Sequence, residues 1–120
     1  DSNNKVILTR AGDAYRSTGD YDRAVEYYNK ALDIEFDLYA VLGLALISKS
    51  TGKYEDAANS LSRLIQSDPR NYRFYIDLAD CYMKMNCRTQ AIEVLESFHR
   101  QGIRSQSVNE MLDRILSNQY

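Results

Sequence analysis

The 120-residue sequence predicts an all-α solenoid, built from three helix-turn-helix repeats and a seventh, capping helix. One observation is a pattern of small and aromatic residues that recurs three times, at intervals of 33 and 34 residues. Another is the helical spacing of apolar residues within each copy. A fixed period of this length indicates stacked copies of one supersecondary unit. The copies read Gly12, Tyr15, Gly19, Tyr21, Ala24, Tyr28, Ala31; then Ala45, Ser48, Gly52, Tyr54, Ala57, Leu61, Leu64; then Ala79, Tyr82, Asn86, Arg88, Ala91, Leu95, Phe98.

Each copy divides into two helical stretches, which predicts a helical hairpin. The interruptions fall at Gly19, Gly52 and Asn86. A helix commonly ends with one residue in the left-handed region, which Gly adopts at little cost and Asn next best. The predicted repeats are residues 5–37, 38–71 and 72–104, within one repeat domain that spans 1–120.

Small residues recur where paired helices are expected to touch. They lie on the first helix of each pair at Gly12, Ala45 and Ala79, and on the second helix at Ala24, Ala57 and Ala91. Facing small residues allow two helix backbones to approach closely, while larger side chains fill the space around them.

The last stretch, residues 105–118, predicts a seventh helix with one apolar stripe, formed by Val108, Met111, Leu112, Ile115 and Leu116. Ser107 and Glu110 have the spacing of a capping box, with Ser105 as the alternative N-cap. Two interpretations remain open for this helix. It is either an end cap, which repeat arrays need, or the start of a fourth repeat.

The threefold pattern resembles the tetratricopeptide repeat family. Pro69, near the end of the second copy, is also typical of the family, whereas Ser48 and Arg88 depart from it by replacing aromatic residues. The resemblance implies a right-handed superhelix in which the first helix of each pair lines a concave face.

Composition bounds the class of protein. A hydrophobic content of 44% is typical of a globular chain, and a net charge of −2 gives no reason to expect nucleic acid, which binds basic surfaces. The longest apolar run, residues 38–47, is about half a membrane span, so membrane insertion is not expected. The chain begins at Asp1 rather than Met. We interpret this as excision from a longer cytoplasmic protein. The alternative is removal of an export signal, which would make the protein periplasmic or secreted.

No residue pattern predicts an enzyme, a cofactor or a metal site. His99 is the one histidine, and its place near a helix end indicates a solvent-exposed residue. Cys81 and Cys87 are interpreted as a core residue and a turn residue, with a redox pair as the alternative. Asp77 and Asp80 are interpreted as polar groove residues, because no partner acid is evident across a cleft.

The concave face implied by the resemblance supplies the candidate binding residues. Its centre is apolar and its flanks carry both signs of charge, which suits a peptide or helix segment. Leu42 and Leu46 have a second interpretation, as core residues between repeats. The predicted site residues are Thr9, Asp13, Arg16, Tyr39, Leu42, Leu46, Lys49, Arg73, Ile76, Asp77, Asp80 and Met83; Val6 and Gly43 belong to the same face, and Glu110 and Arg114 extend it.

One subclass of the family binds acidic chaperone C-termini with a two-carboxylate clamp of Lys, Arg and Asn side chains. The matching positions hold Thr9, Asp13, Gly43, Arg73 and Asp77. Since only Arg73 is basic, that subclass is disfavoured.

Taken together, these observations predict a non-enzymatic protein-interaction scaffold. The alternatives are a structural unit that self-associates end to end through its N-terminal edge, and a regulatory appendage of an enzyme domain.

Overall fold

The computed structural model describes residues 2–120, with side chains from residue 4 onward; Asp1, on which the processing hypothesis rests, lies outside them. The described residues form helices and no strand, which confirms the predicted all-α fold class. None of the described helices is long and apolar enough to cross a membrane. The seven helices are α1 Ser2–Ser17, α2 Tyr21–Ile34, α3 Leu38–Ser50, α4 Tyr54–Ser67, α5 Tyr72–Lys84, α6 Arg88–His99 and α7 Gln106–Leu116.

The predicted left-handed turns end α1, α3 and α5. Gly19, Gly52 and Asn86 have φ angles of +82°, +80° and +59°. In each turn the next residue donates its N–H to a carbonyl five residues earlier, at 2.8 to 3.0 Å. This bond satisfies a carbonyl that the helix itself leaves unpaired.

The same turn ends α7. Asn118 has a φ of +60°, and the N–H of Gln119 donates to the carbonyl of Arg114 at 2.8 Å. The last helix therefore ends in the manner of α1, α3 and α5.

Ser105, the alternative N-cap, is the residue that caps α7. Its hydroxyl oxygen accepts from the N–H of Val108 at 3.2 Å. The capping box of Ser107 with Glu110 is wrong, because Ser107 already lies inside the first turn. Glu110 instead accepts from the side-chain amide of Gln106 at 2.8 Å.

The chain divides into two compact units, residues 1–53 and 54–120. The first contains α1, α2 and α3, and all three helices contact one another. The division falls between α3 and α4, inside the predicted second repeat, so the single repeat domain and its internal boundaries stay a prediction. The core of the first unit contains Ala24, Tyr28, Ala31, Ala40 and Ile47.

In the second unit α5 packs against α4 and α6, and α7 packs against α5 and α6. The stripe of α7 supplies three buried residues, while its outer member Leu116 is 52% exposed. The guanidinium of Arg88 donates to the carbonyl of Ile115 at 3.3 Å and so ties the start of α6 to the end of α7. The core contains Tyr75, Ala79, Ala91, Leu95, Phe98, Val108, Met111 and Ile115.

The fully buried ring of Tyr28 lies between two helical glycines, Gly12 on α1 and Gly43 on α3. A Cβ atom at Gly12 would stand 2.6 Å from the ring, and a Cβ atom at Gly43 would stand 2.5 Å from the phenol oxygen and closer still to the ring. Real Cβ atoms do not approach so closely, so both positions accommodate Tyr28 because they lack a side chain.

We predict that Gly43→Ala destabilises the protein by about 1–3 kcal/mol through overpacking. In an ordinary helix interior the same change stabilises by about 1 kcal/mol. Chemical denaturation measures the difference. In a Tyr28→Leu background the ring is gone, so Gly43→Ala is expected to become neutral or stabilising. An equal loss in both backgrounds would show that the ring does not exclude the methyl group.

We predict that Gly52→Val destabilises by about 1–2 kcal/mol, because a β-branched residue is strained at positive φ. Asn86→Gly is expected to be neutral or stabilising, since Gly adopts the same conformation without strain. Thermal melts of both variants provide the comparison. Tolerance of valine at position 52 would contradict the turn geometry.

We predict that Ala57→Leu is among the most damaging single changes. Ala57 is fully buried on α4, and overpacking at such a position costs about 1–3 kcal/mol. Asn59→Leu, at an exposed position of the same helix, is the matched control. A melting temperature equal to that of the wild type would remove Ala57 from the tightly packed core.

Candidate ligand-binding surface

The predicted site residues of the first unit lie on α1 and α3. Tyr39 is 67% exposed, although it lies in the first turn of a helix with five buried residues. Leu42, Leu46 and Lys49 follow it on α3 and are half-buried. Each leucine is partly covered and keeps some surface exposed, so both interpretations of the two leucines stay predictions.

The predicted site residues of the second unit all lie on α5. Arg73 is exposed, and Ile76, Asp77, Asp80 and Met83 are half-buried. Ile76 and Met83 pack against the core of this unit and leave part of their surface accessible. One helix therefore presents apolar and acidic side chains together.

Thr9 is a correction to the predicted surface. It is only 5% exposed, and its hydroxyl donates to the Oδ2 atom of Asp37 at 2.5 Å. The other carboxylate oxygen of Asp37 accepts from the N–H of Tyr39 at 3.0 Å and caps α3. Thr9 therefore fastens the start of α3 to α1. Gly43 is buried as well, because it faces the Tyr28 ring.

Asp13 and Arg16 meet at the hydroxyl of Tyr28. That hydroxyl donates to the Oδ1 atom of Asp13 at 2.5 Å and accepts from the Nε atom of Arg16 at 3.0 Å. A terminal nitrogen of Arg16 lies 3.6 Å from the same carboxylate. The three side chains form one closed network, in which each charge has a partner.

Burial, with the hydrogen bond to Asp13 as the second cause, raises the pKa of Tyr28 from 10.0 to about 12. The hydrogen bond to Tyr28 raises the pKa of Arg16 in turn. The phenol thus stays protonated, and stays a donor, throughout the physiological range. Stabilisation from this network is fully present below pH 10 and is lost as the pH rises through about 12.

The sequence pattern includes Tyr28 as a recurring position of the repeat and does not predict its polar role. The repeat pattern marks only the aromatic ring. One sequence feature could have indicated a role for the hydroxyl: the equivalent positions of the other repeats hold Leu61 and Leu95, which have no polar group.

An open pocket of about 410 Å³ lies in the first unit, beside this network. α1 contributes Lys5, Val6, Arg10 and Asp13, with Thr9 at the base. Asp37 and Tyr39, at the start of α3, complete the lining. The pocket brings together three predicted site residues, Thr9, Asp13 and Tyr39, with two cationic residues outside the predicted site.

Lys5 is already paired. Its ammonium group lies 2.7 Å from the Glu35 carboxylate and donates to the carbonyl of Phe36 at 3.5 Å. The hydrogen bond to Glu35 raises the pKa of Lys5. Lys5 therefore fixes the segment between α2 and α3.

Residues that carry chemistry do not converge in the described part of the chain. No group of three or more His, Cys, Asp or Glu side chains there could hold a metal ion. Cys81 is buried, as the core interpretation predicted, and Cys87 is half-buried at the start of α6. The ring of His99 packs edge-on against Phe98, with centroids 6.3 Å apart.

Several solved structures share this fold. Yeast Tom70 superposes with a TM-score of 0.83 at 22% identity, over 96% of this chain and 24% of that one. The first TPR domain of Spaghetti (RPAP3), bound to the HSP90 peptide SRMEEVD, gives 0.82 at 17% identity, over 98% of this chain and 94% of that one. The TPR2AB domain of yeast Sti1, in a pHSP90 complex, gives 0.83 at 18% identity, over 98% and 48%. This chain thus spans about a quarter of the Tom70 chain.

Comparison with the curated proteins finds no match. Two family models do match, both described as tetratricopeptide repeat, over residues 7–38 and 50–98. The two matches cover most of the helical repeats that the sequence pattern predicted. With the shared fold, they show that this chain belongs to the tetratricopeptide repeat family.

Proposed function

We propose that this chain is a non-enzymatic protein-interaction scaffold that binds a peptide or helix segment through accessible side chains of its first helices. The observation that carries the proposal is the exposure of apolar side chains on α3. Tyr39, Leu42 and Leu46 recur at helical spacing and keep surface accessible. An apolar stripe beside charged residues is the kind of surface that anchors a partner's side chains.

Two of the structural relatives support a peptide ligand, because both are complexes with HSP90 or its peptide. The clamp positions of this chain do not match such a ligand. Thr9 is buried and Gly43 lacks a side chain, while Asp13 and Asp77 are acidic. We therefore propose an apolar segment, rather than a doubly acidic C-terminus, as the main ligand.

Exposed apolar side chains in the first unit favour a second candidate, self-association through the N-terminal edge. Ile7 is 64% exposed, Phe36 45% and Ile34 41%. Sedimentation velocity over a range of concentrations tests this candidate, with Ile7→Glu as the disrupting variant. A mass that is constant with concentration would argue against it.

We predict that Leu46→Asp and Ile76→Asp each weaken peptide binding by about 2 kcal/mol or more, as loss of a desolvated anchor does. Arg73→Ala is expected to cost less than about 1 kcal/mol and to act mainly on the association rate and its salt dependence. The ligand is a synthetic peptide selected against the wild type from a displayed 12-residue random library, and titration calorimetry measures its affinity.

Leu116→Asp is the matched control, since Leu116 is exposed on α7, outside the proposed face. Circular dichroism establishes that every variant is folded before titration. Full affinity in both Asp variants would move the binding site to another surface. If either variant is unfolded, Leu46→Ser or Ile76→Ser replaces it in the same test.

A further inference from the structure

The charged side chains that line the pocket in the first unit differ in how far protein groups already satisfy them. Two of its charged side chains are carboxylates whose oxygens already accept short hydrogen bonds. Asp13 accepts from Tyr28, and Asp37 accepts from Thr9 and from the backbone of Tyr39. A carboxylate with such partners has less remaining capacity to attract a cationic ligand.

The two cations of the pocket differ from each other. Lys5 is held by Glu35 and the carbonyl of Phe36. Arg10 is exposed on α1, and within the described residues its guanidinium has no hydrogen-bond or ion-pair partner. Arg10 is therefore the charged group of the pocket that is available to pair with an anionic group of a ligand.

Apolar surface lies beside that cation. Val6 is 41% exposed and Tyr39 is 67% exposed, and both side chains line the pocket. Arg10 follows Val6 by one helical turn on α1, so the two side chains lie on the same face. A ligand that fits this arrangement carries an apolar side chain and a carboxylate a few residues apart.

We propose that this pocket is a specificity subsite that selects an aliphatic or aromatic residue followed closely by Asp or Glu within a longer peptide segment. The inference rests on the proposed function, because it names the ligand class for the part of the proposed binding surface that lies in the first unit. The apolar residue packs between Val6 and Tyr39, and the acidic side chain pairs with Arg10.

An internal acidic residue fits better than a free C-terminus. Capture of a terminal carboxylate typically uses a nest of backbone N–H groups or several cations. Among the described residues that line the pocket, Arg10 supplies the one unpaired guanidinium, and the lining backbone from Lys5 to Asp13 is helical.

The test is a library selection with the full chain. Random 12-residue peptides are displayed through their C-termini, so that none has a free terminal carboxylate, and are selected against the wild type, Arg10→Glu and Arg104→Glu. Arg104 is an exposed arginine of the second unit and serves as the matched control. Circular dichroism checks each fold.

The wild type and Arg104→Glu are expected to enrich peptides with an apolar residue within three positions of Asp or Glu. Arg10→Glu is expected to lose that preference and to bind the selected peptide at least about tenfold more weakly. Tyr39→Ala is expected to weaken binding of the same peptide while keeping the preference for acid. Rising salt is expected to reduce the wild-type affinity more than that of Arg10→Glu.

Two outcomes would overturn the subsite and are distinguishable from failure of the scaffold itself. If peptides are enriched but show no acidic residue, or bind Arg10→Glu equally well, the chain binds peptides and the subsite is wrong. If binders appear only in a second library with free C-termini, the anion is a terminal carboxylate. If neither library yields a binder to the wild type, the proposed function fails and the subsite fails with it.

Discussion

The ring of Tyr28 sets the distance between α2 and its two neighbours in the first unit. It is fully buried against Gly12 and Gly43, neither of which has space for a methyl group. The packing of α1, α2 and α3 thus depends on one large side chain and on two glycines that leave space for it. Equivalent positions in the other repeats hold Leu61 and Leu95, so this arrangement is specific to the first repeat.

The hydroxyl of Tyr28 also determines how many charged groups on α1 are available to a partner. This hydroxyl forms hydrogen bonds with both Asp13 and Arg16. From the sequence alone, these two side chains are a carboxylate and a guanidinium available to a ligand. Thr9 and Asp37 satisfy each other in a similar way. Internal pairing of this kind lowers the number of charges that a partner has to match, and it leaves apolar contacts to provide most of the affinity.

The sequence predicted the repeats, the turns and the seventh helix, because these depend on local backbone chemistry and on apolar spacing. Gly52 and Asn86 follow from the left-handed conformation alone. Thr9 was misplaced because helical spacing gives the face of a residue but not the partner that covers it. Its partner Asp37 lies 28 positions away, beyond the reach of any local pattern. Ser105 and Ser107 differ only in where the helix begins, which local spacing leaves open.

The left-handed turn at Asn118 has a consequence for engineering. After this turn the backbone has the same hydrogen bond that precedes α2, α4 and α6, from Gln119 to the carbonyl of Arg114. An idealised second-helix sequence grafted after Gln119 would begin from the same backbone turn that precedes α2, α4 and α6. The turn at Asn118 thus provides a defined junction at which a second helix can be joined to α7.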